Sequence, residues 1–158
     1  MLYALLKTVH LLSIVVWIGG MFFTLFCLRP AVAALEGPTR LRLMQDVLGR
    51  FFAAVLVAVV LCLASGLWMI GRAADAAAQT GVGFHMPLDW AVMAVLGLLM
   101  MAIFGHIRFA LYRRLTRAVA AQDWPAGAAA LGSIRISVLV NLCLGVAIIL
   151  VTKLGAAS

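Results

Sequence analysis

Three histidines are the residues of this chain whose types and positions could do chemistry. His10 lies within a long run of apolar residues, and His85 and His106 bracket a later run. An imidazole nitrogen can bind a metal ion or a haem iron, but burial of the polar ring in hydrocarbon costs free energy. Ionisable residues inside membrane spans are rare and mark functional sites. We therefore interpret His10 as the leading candidate for holding a metal or cofactor.

His10 shares one helical stripe with polar, aromatic and small residues. Residues three or four apart lie on the same face of a helix, and this face carries Ser13, Trp17, Gly20 and Thr24. Leucines, isoleucines and phenylalanines occupy the rest of the run. The stripe is therefore predicted to face the interior of a helix bundle and to line any site that His10 forms.

The other apolar runs carry similar rows. The row in the second run consists of Ala58, Cys62, Ser65 and Met69, with Gly66 beside it. In the third run, Gly97 and Gly105 predict a close approach between helices. In the fourth run, Asn141 is the strongest polar signal, and we include it among the candidate cofactor-binding residues. The three cysteines have no CxxC spacing and are interpreted as small buried hydrophobes.

The elements that must position these residues are membrane-spanning helices. The chain is 66% hydrophobic and 11% charged, whereas soluble proteins are about 45–50% apolar and about 25% charged. Four windows reach the roughly 20 apolar residues that a span needs, at 2–28, 51–70, 88–111 and 134–154. The predicted fold class is all-α: one domain over residues 1–158, an integral membrane four-helix bundle. We expect the first run to remain as a span, since it is longer than a signal-peptide core.

Basic residues are concentrated at the first and third connections between these spans. Nine arginines lie in or beside these two connections, against Arg72 alone in the second. By the positive-inside rule, both connections are cytoplasmic and both termini face the non-cytoplasmic side of a bacterial-type inner membrane. The net charge of +7 is therefore assigned to topology and lipid headgroups, and no nucleic-acid partner is predicted. Residues 41–48 form an amphipathic piece that we expect at the membrane interface.

A b-type haem is the cofactor that these residues favour. Apart from Asp89 at the start of the third span, the spans contain no carboxylate, which argues against hydrolysis and carboxylate proton relays. A haem needs an axial imidazole and a slot between helices.

At about 1.5 Å per residue, His10 lies roughly 12 Å from the start of its helix and His106 roughly 28 Å from Pro87. By depth, His85 is the better partner for His10, and His106 suits a second site. Candidate counter-charges for acidic cofactor groups are Arg29, Arg50, Arg108 and Arg135.

Copper is the competing ligand. The His85-Met86 pair offers soft donors that could capture Cu(I), with His10 passing the ion inward. The chain would then be a copper-handling or copper-transport protein. The third hypothesis is that the protein is a scaffold subunit with no binding site of its own.

Several short motifs resemble one family of membrane proteins. They are the run from His10 to Gly20, Leu28-Arg29-Pro30, Phe84-His85, and His106 ahead of Tyr112-Arg113-Arg114. The chain resembles the copper-resistance D (CopD) superfamily, and it is also similar to the related HemJ-type protoporphyrinogen oxidases, which bind haem b. The resemblance implies that His10 is a haem ligand, with His85 and His106 in the same site or around it.

One departure from the oxidase pattern narrows what the resemblance implies. The oxidases have a lysine at the position of Pro87, which argues against protoporphyrinogen oxidation here. The expected role is membrane electron transfer, with a quinone or porphyrinogen as the redox partner. Enzymatic activity stays open, as does a homodimer that supplies a missing ligand.

Overall fold

Four long helices make up the structure, and no strand occurs among the described residues. The computed structural model describes residues 1–81 and 83–154, with side chains up to Thr152. The helices are α1 (Leu2–Ala31), α2 (Gly37–Gln79), α3 (Leu88–Ala120) and α4 (Trp124–Leu154). Each is long and apolar enough to cross a membrane. The prediction of an all-helical fold with four candidate spans is confirmed.

Local sequence explains where the helices begin. α2 begins at Gly37, and Pro38 lies in its first turn, where a missing N–H removes no helical hydrogen bond. Before α4, Asp123 Oδ1 accepts a 3.0 Å hydrogen bond from the backbone N–H of Ala126, which caps the new helix. Gln122, just before it, has a φ of 57°, and this left-handed residue reverses the chain between α3 and α4.

Neighbouring helices run antiparallel, so the bundle has two distinct ends. The basic end contains residues 32–36 and 121–123, and the terminal end contains residues 80, 81 and 83–87 and the start of α1. Nine of the twelve Lys and Arg residues belong to the half nearer the basic end. Both α1 and α3 widen into a π-helical turn in this half, at Phe23–Leu28 and Ile107–Leu111.

The helices extend beyond the predicted spans at the basic end. α2 has 43 residues, which is about 65 Å at 1.5 Å per residue, roughly twice the hydrocarbon thickness. The apolar face of residues 41–48 does not rest on lipid, as an interfacial helix would, because Leu41, Met44 and Leu48 are buried inside the bundle. Their apolar face packs against the adjoining parts of α3 and α4. α2 is continuous because this amphipathic part packs its apolar face against protein rather than against lipid.

An aromatic cluster joins three helices at the centre of the bundle. Trp17 and Phe104 meet edge to face with ring centroids 6.0 Å apart, and Phe52 contacts Phe104 at 6.1 Å and Tyr112 at 5.5 Å. The Tyr112 hydroxyl donates a 3.1 Å hydrogen bond to the Gln45 carbonyl. Such aromatic pairs contribute about 0.5–1.5 kcal/mol each beyond their buried area. The cluster therefore fixes how α1, α2 and α3 meet.

Two expectations about small residues were wrong. A Cβ added at Gly97 or Gly105 would meet no atom within 4 Å, so this row makes no close helix contact. Cys27 and Cys143 are exposed on the outer surface of the bundle, whereas Cys62 is half-buried. Apolar periodicity alone does not distinguish the lipid-facing side of a span from the protein-facing side, because both sides are apolar.

Candidate metal-binding site

The polar stripe of α1 faces the bundle interior. Ser13 and Trp17 are each 5% exposed, and Thr24 is 7% exposed. Gly20 lies directly beneath the Phe51 ring of α2. The Ser13 and Thr24 hydroxyls donate to carbonyls of their own helix, so the proton of each hydroxyl is already used within α1. These residues line the interior of the bundle. Within the stripe, His10 is the residue whose side chain can bind a metal ion.

His10 is held by α2. Its Nδ1 lies 3.0 Å from the Cys62 carbonyl oxygen and 3.0 Å from Ser65 Oγ. A carbonyl can only accept, so the hydrogen bond requires the proton on Nδ1. Ser65 Oγ donates its own proton to the Leu61 carbonyl at 2.6 Å and therefore also accepts from His10. In the neutral ring, Nε2 then carries the free lone pair, the arrangement typical of a metal-ligating histidine.

A cysteine thiol lies beside the same ring. Cys62 Sγ is 3.6 Å from His10 Nδ1 and 3.7 Å from Nε2. These nearly equal distances put the sulfur alongside the ring rather than on the lone-pair axis of Nε2. One ion could be held by both residues only after a rotation of the Cys62 side chain. The pair is a candidate set of one nitrogen and one sulfur donor.

Gly66 lies against the ring of His10, where an added Cβ would make ordinary van der Waals contact with it. A Cβ at this position would lie 3.4 Å from His10 Cε1 and 3.8 Å from Nδ1. The ring therefore rests on the bare surface of α2, between Cys62 and Ser65 on one side and Gly66 on the other. The contact of Cys62 with His10 was not predicted from the sequence, although the place of Cys62 in the predicted row of α2 was the signal that pointed to it.

The structure does not bring the three histidines together. His85 is exposed in the connection between α2 and α3, and its Nδ1 lies 3.0 Å from the nearby Gly83 carbonyl oxygen. His106 is exposed on the surface shared by α3 and α4, next to Ser137. Among the described residues, no cluster of three or more His, Cys, Asp or Glu could hold a metal ion. Any site at His10 therefore begins with His10 and Cys62.

Asn141 lies in the core of α4. It is 1% exposed, and its Oδ1 is buried without a hydrogen-bond partner among the described residues. Its neighbours on the buried face of α4, Val138 and Leu142, are apolar. The side chain therefore belongs to the packed interior and has no polar contact with His10.

An open groove continues the seam between α1 and α2 toward the terminal end. Its volume is about 720 Å³, and its lining includes Tyr3, Trp68, Met69 and Arg72. The Tyr3 and Trp68 rings lie 6.5 Å apart, and the Arg72 guanidinium carbon is 5.8 Å from the Trp68 ring. Tyr3 and Met69 are each seven residues, two helical turns, from His10 and Cys62 respectively. The groove thus lies on the same helix faces as the donor pair.

Comparison with known proteins identifies the family. A family model described as copper resistance protein D (CopD) matches residues 45–154, which is more than half of the chain. The chain belongs to the CopD family. The matched region includes Cys62, His85 and His106, whereas His10 precedes it. No curated protein and no solved structure matches the chain, and these comparisons show no relationship to the HemJ-type oxidases.

This CopD family member is a multi-pass membrane protein. Its outer surface exposes many large apolar side chains, among them Leu12 at 59%, Val57 at 60% and Ile136 at 65%. Such a surface fits the hydrocarbon of a lipid bilayer and would be costly in water. The helices thus present lipid-compatible residues outward and hold His10 on the inner face of α1.

Proposed function

We propose that this CopD family member handles copper in the membrane and binds Cu(I) with His10 and Cys62. The observation that carries the proposal is the hydrogen bond from His10 Nδ1–H to the Cys62 carbonyl, which leaves Nε2 unprotonated beside the Cys62 sulfur. Membership in a family described by copper resistance agrees with this chemistry. The proposed role is capture or passage of copper.

The donor types favour Cu(I) over harder cations. Thiolate sulfur and imidazole nitrogen are soft or intermediate ligands that select Cu(I), whereas Mg²⁺ and Ca²⁺ need oxygen ligands. Cu(I) also accepts few ligands, which suits a two-residue donor set. Binding replaces the proton on the Cys62 thiol, so loading of the site releases one proton.

Competition with a coloured Cu(I) chelator tests the proposal on the purified full chain in detergent. We expect His10→Ala and Cys62→Ser each to weaken Cu(I) binding by about tenfold or more, since even lost support around a metal ligand costs 10–100-fold. Cys143→Ser is the matched control, because Cys143 is exposed on the outer surface of α4, and this variant should bind Cu(I) as tightly as the native protein. Native-like binding by Cys62→Ser would contradict the proposal.

Haem b is the second candidate, and the groove between α1 and α2 favours it. The groove has aromatic walls, its volume of about 720 Å³ lies within the usual range of ligand pockets, and Arg72 at its edge offers a counter-charge for a propionate. His10 does not line the groove but lies seven residues from Tyr3 on the same face of α1, where its Nε2 would hold the haem iron. The protein would then transfer electrons to or from a quinone or porphyrinogen.

The absorption spectrum separates the two candidates. A haem protein shows an intense Soret band that shifts on reduction, and His10→Ala would remove or shift this band. Purified protein that stays colourless after incubation with haem, yet binds Cu(I) through Cys62, would exclude haem. The reverse result would exclude copper.

A further inference from the structure

A second groove lies between α3 and α4, away from His10. Its volume is about 340 Å³, and it is lined by Ala102, Ile103, His106, Ile136, Ser137 and Val140. Because α3 and α4 are antiparallel, its two polar residues share the end nearer the basic end of the bundle. Ala102 and Val140 form the other end, nearer the membrane centre. The groove is therefore amphipathic along its length, and it opens on the outer surface of the bundle.

The two polar side chains of this groove have no partner in the described part of the protein. Hydroxyls elsewhere in the spans donate to a carbonyl of their own helix, as Ser13, Ser65 and Thr152 do. Ser137 makes no such bond, and the exposed ring of His106 makes no hydrogen bond either. In hydrocarbon, a polar group without a hydrogen-bond partner raises the free energy of the protein. A bound molecule with hydrogen-bonding groups would remove this cost.

Positive charge lies just beyond the polar end of the groove. Arg113, Arg114 and Arg117 follow His106 on α3, and all three are exposed. The nearest acidic residue along this part of the chain is Asp123, in the turn after α3. A ligand with a polar end here would therefore meet a strongly positive surface.

We propose that this groove binds an anionic phospholipid. The acyl chains would lie along Ile103, Ile136 and Val140, the ester groups would meet His106 and Ser137, and the phosphate would face the arginines. Basic pockets between transmembrane helices are known to select such headgroups. A neutral quinone would fit the apolar walls but would not neutralise the positive charge of the arginines. A second copy of the chain would bring two positively charged surfaces together.

Native mass spectrometry of the purified protein with phosphatidylglycerol or phosphatidylcholine tests this proposal. We expect the native protein to retain phosphatidylglycerol at least several-fold better, and the His106→Phe/Ser137→Ala variant to lose that preference. Ser133→Ala is the matched control, since Ser133 lies one turn away on α4 and already bonds the Ala129 carbonyl. It should keep the native preference.

A second variant keeps the test decisive if the first variant does not fold. Arg114→Gln/Arg117→Gln changes only exposed side chains and should also reduce retention of phosphatidylglycerol. Equal retention of both lipids by the native protein would overturn the proposal. An unchanged preference in either variant would also overturn it. If the native protein is a dimer and the His106→Phe/Ser137→Ala variant becomes monomeric with its bound lipid unchanged, the groove contacts a second copy and the proposal fails.

Discussion

At the scale of single residues, a hydrogen bond decides what His10 can do. The Cys62 carbonyl and the Ser65 hydroxyl both accept from Nδ1–H, which orients the ring and sets its tautomer. No other histidine is needed for this. α2 therefore fixes Nε2 as the unprotonated nitrogen of His10 before a ligand binds.

Loss of one acceptor should weaken the site without destroying it. We expect Ser65→Ala to reduce Cu(I) affinity by about tenfold, because groups that orient a metal ligand typically contribute 10–100-fold and the Cys62 carbonyl remains. Ser13→Ala is the control, since Ser13 bonds only to Val9 of its own helix. The chelator competition measures both variants. An equal loss in Ser13→Ala would show that the effect comes from general packing.

Asn141 carries a different prediction. Its Oδ1 is buried with no hydrogen-bond partner in the described part of the chain, and a buried unsatisfied polar group costs about 1–3 kcal/mol. Asn141→Leu should therefore raise the thermal unfolding temperature in detergent and leave Cu(I) binding unchanged. A fall in both quantities would instead place Asn141 in a binding site, as the sequence suggested.

At the scale of elements, the seam between α1 and α2 depends on one glycine. A Cβ at Gly20 would overlap the Phe51 ring, whereas a Cβ at the adjacent Gly19 would meet nothing within 4 Å. Close contact at Gly20 sets the rotation of α1 that presents His10 to Cys62, since all these residues lie along the same pair of faces.

Alanine substitutions at the two glycines should therefore have opposite effects. Gly20→Ala forces the Phe51 ring out of its place, and such overpacking costs about 1–3 kcal/mol. Gly19→Ala gains up to about 1 kcal/mol of helix propensity at no steric cost. Thermal unfolding should show a lower midpoint for Gly20→Ala and an unchanged or higher one for Gly19→Ala. Equal midpoints would show that the seam is loosely packed.

At the scale of the whole molecule, charge asymmetry predicts the orientation in the membrane. The basic end should be cytoplasmic and both termini should face the other side. Cysteines introduced one at a time at Thr80 and Ala121, in a background lacking native cysteines, would report this. Both positions are exposed, at opposite ends of the bundle. We expect an impermeant maleimide to label intact cells at Thr80 only, and labelling at Ala121 only would reverse the assigned topology.

Much of this architecture could be predicted because the bilayer imposes simple rules. Span length follows from hydrocarbon thickness, so four apolar runs predicted four helices. The ends were predicted poorly: α2 begins at Gly37, ahead of the predicted span at 51–70, and α3 continues to Ala120, past the predicted end at residue 111. Hydropathy does not detect such amphipathic extensions of a span. The exposed Cys27 and Cys143 were misplaced for a related reason, as lipid and protein interior are both apolar.

The sequence by itself determined the class of protein, the number of spans and the inward stripe of α1, because these depend on composition and on local helical periodicity. Only the tertiary structure decided which residues face His10. That choice depends on the rotation and register of α2 against α1, set by contacts such as Gly20 with Phe51 between residues about thirty positions apart. It placed Cys62 and Ser65 at the ring, left His85 in a connection, and turned His106 toward the outer surface.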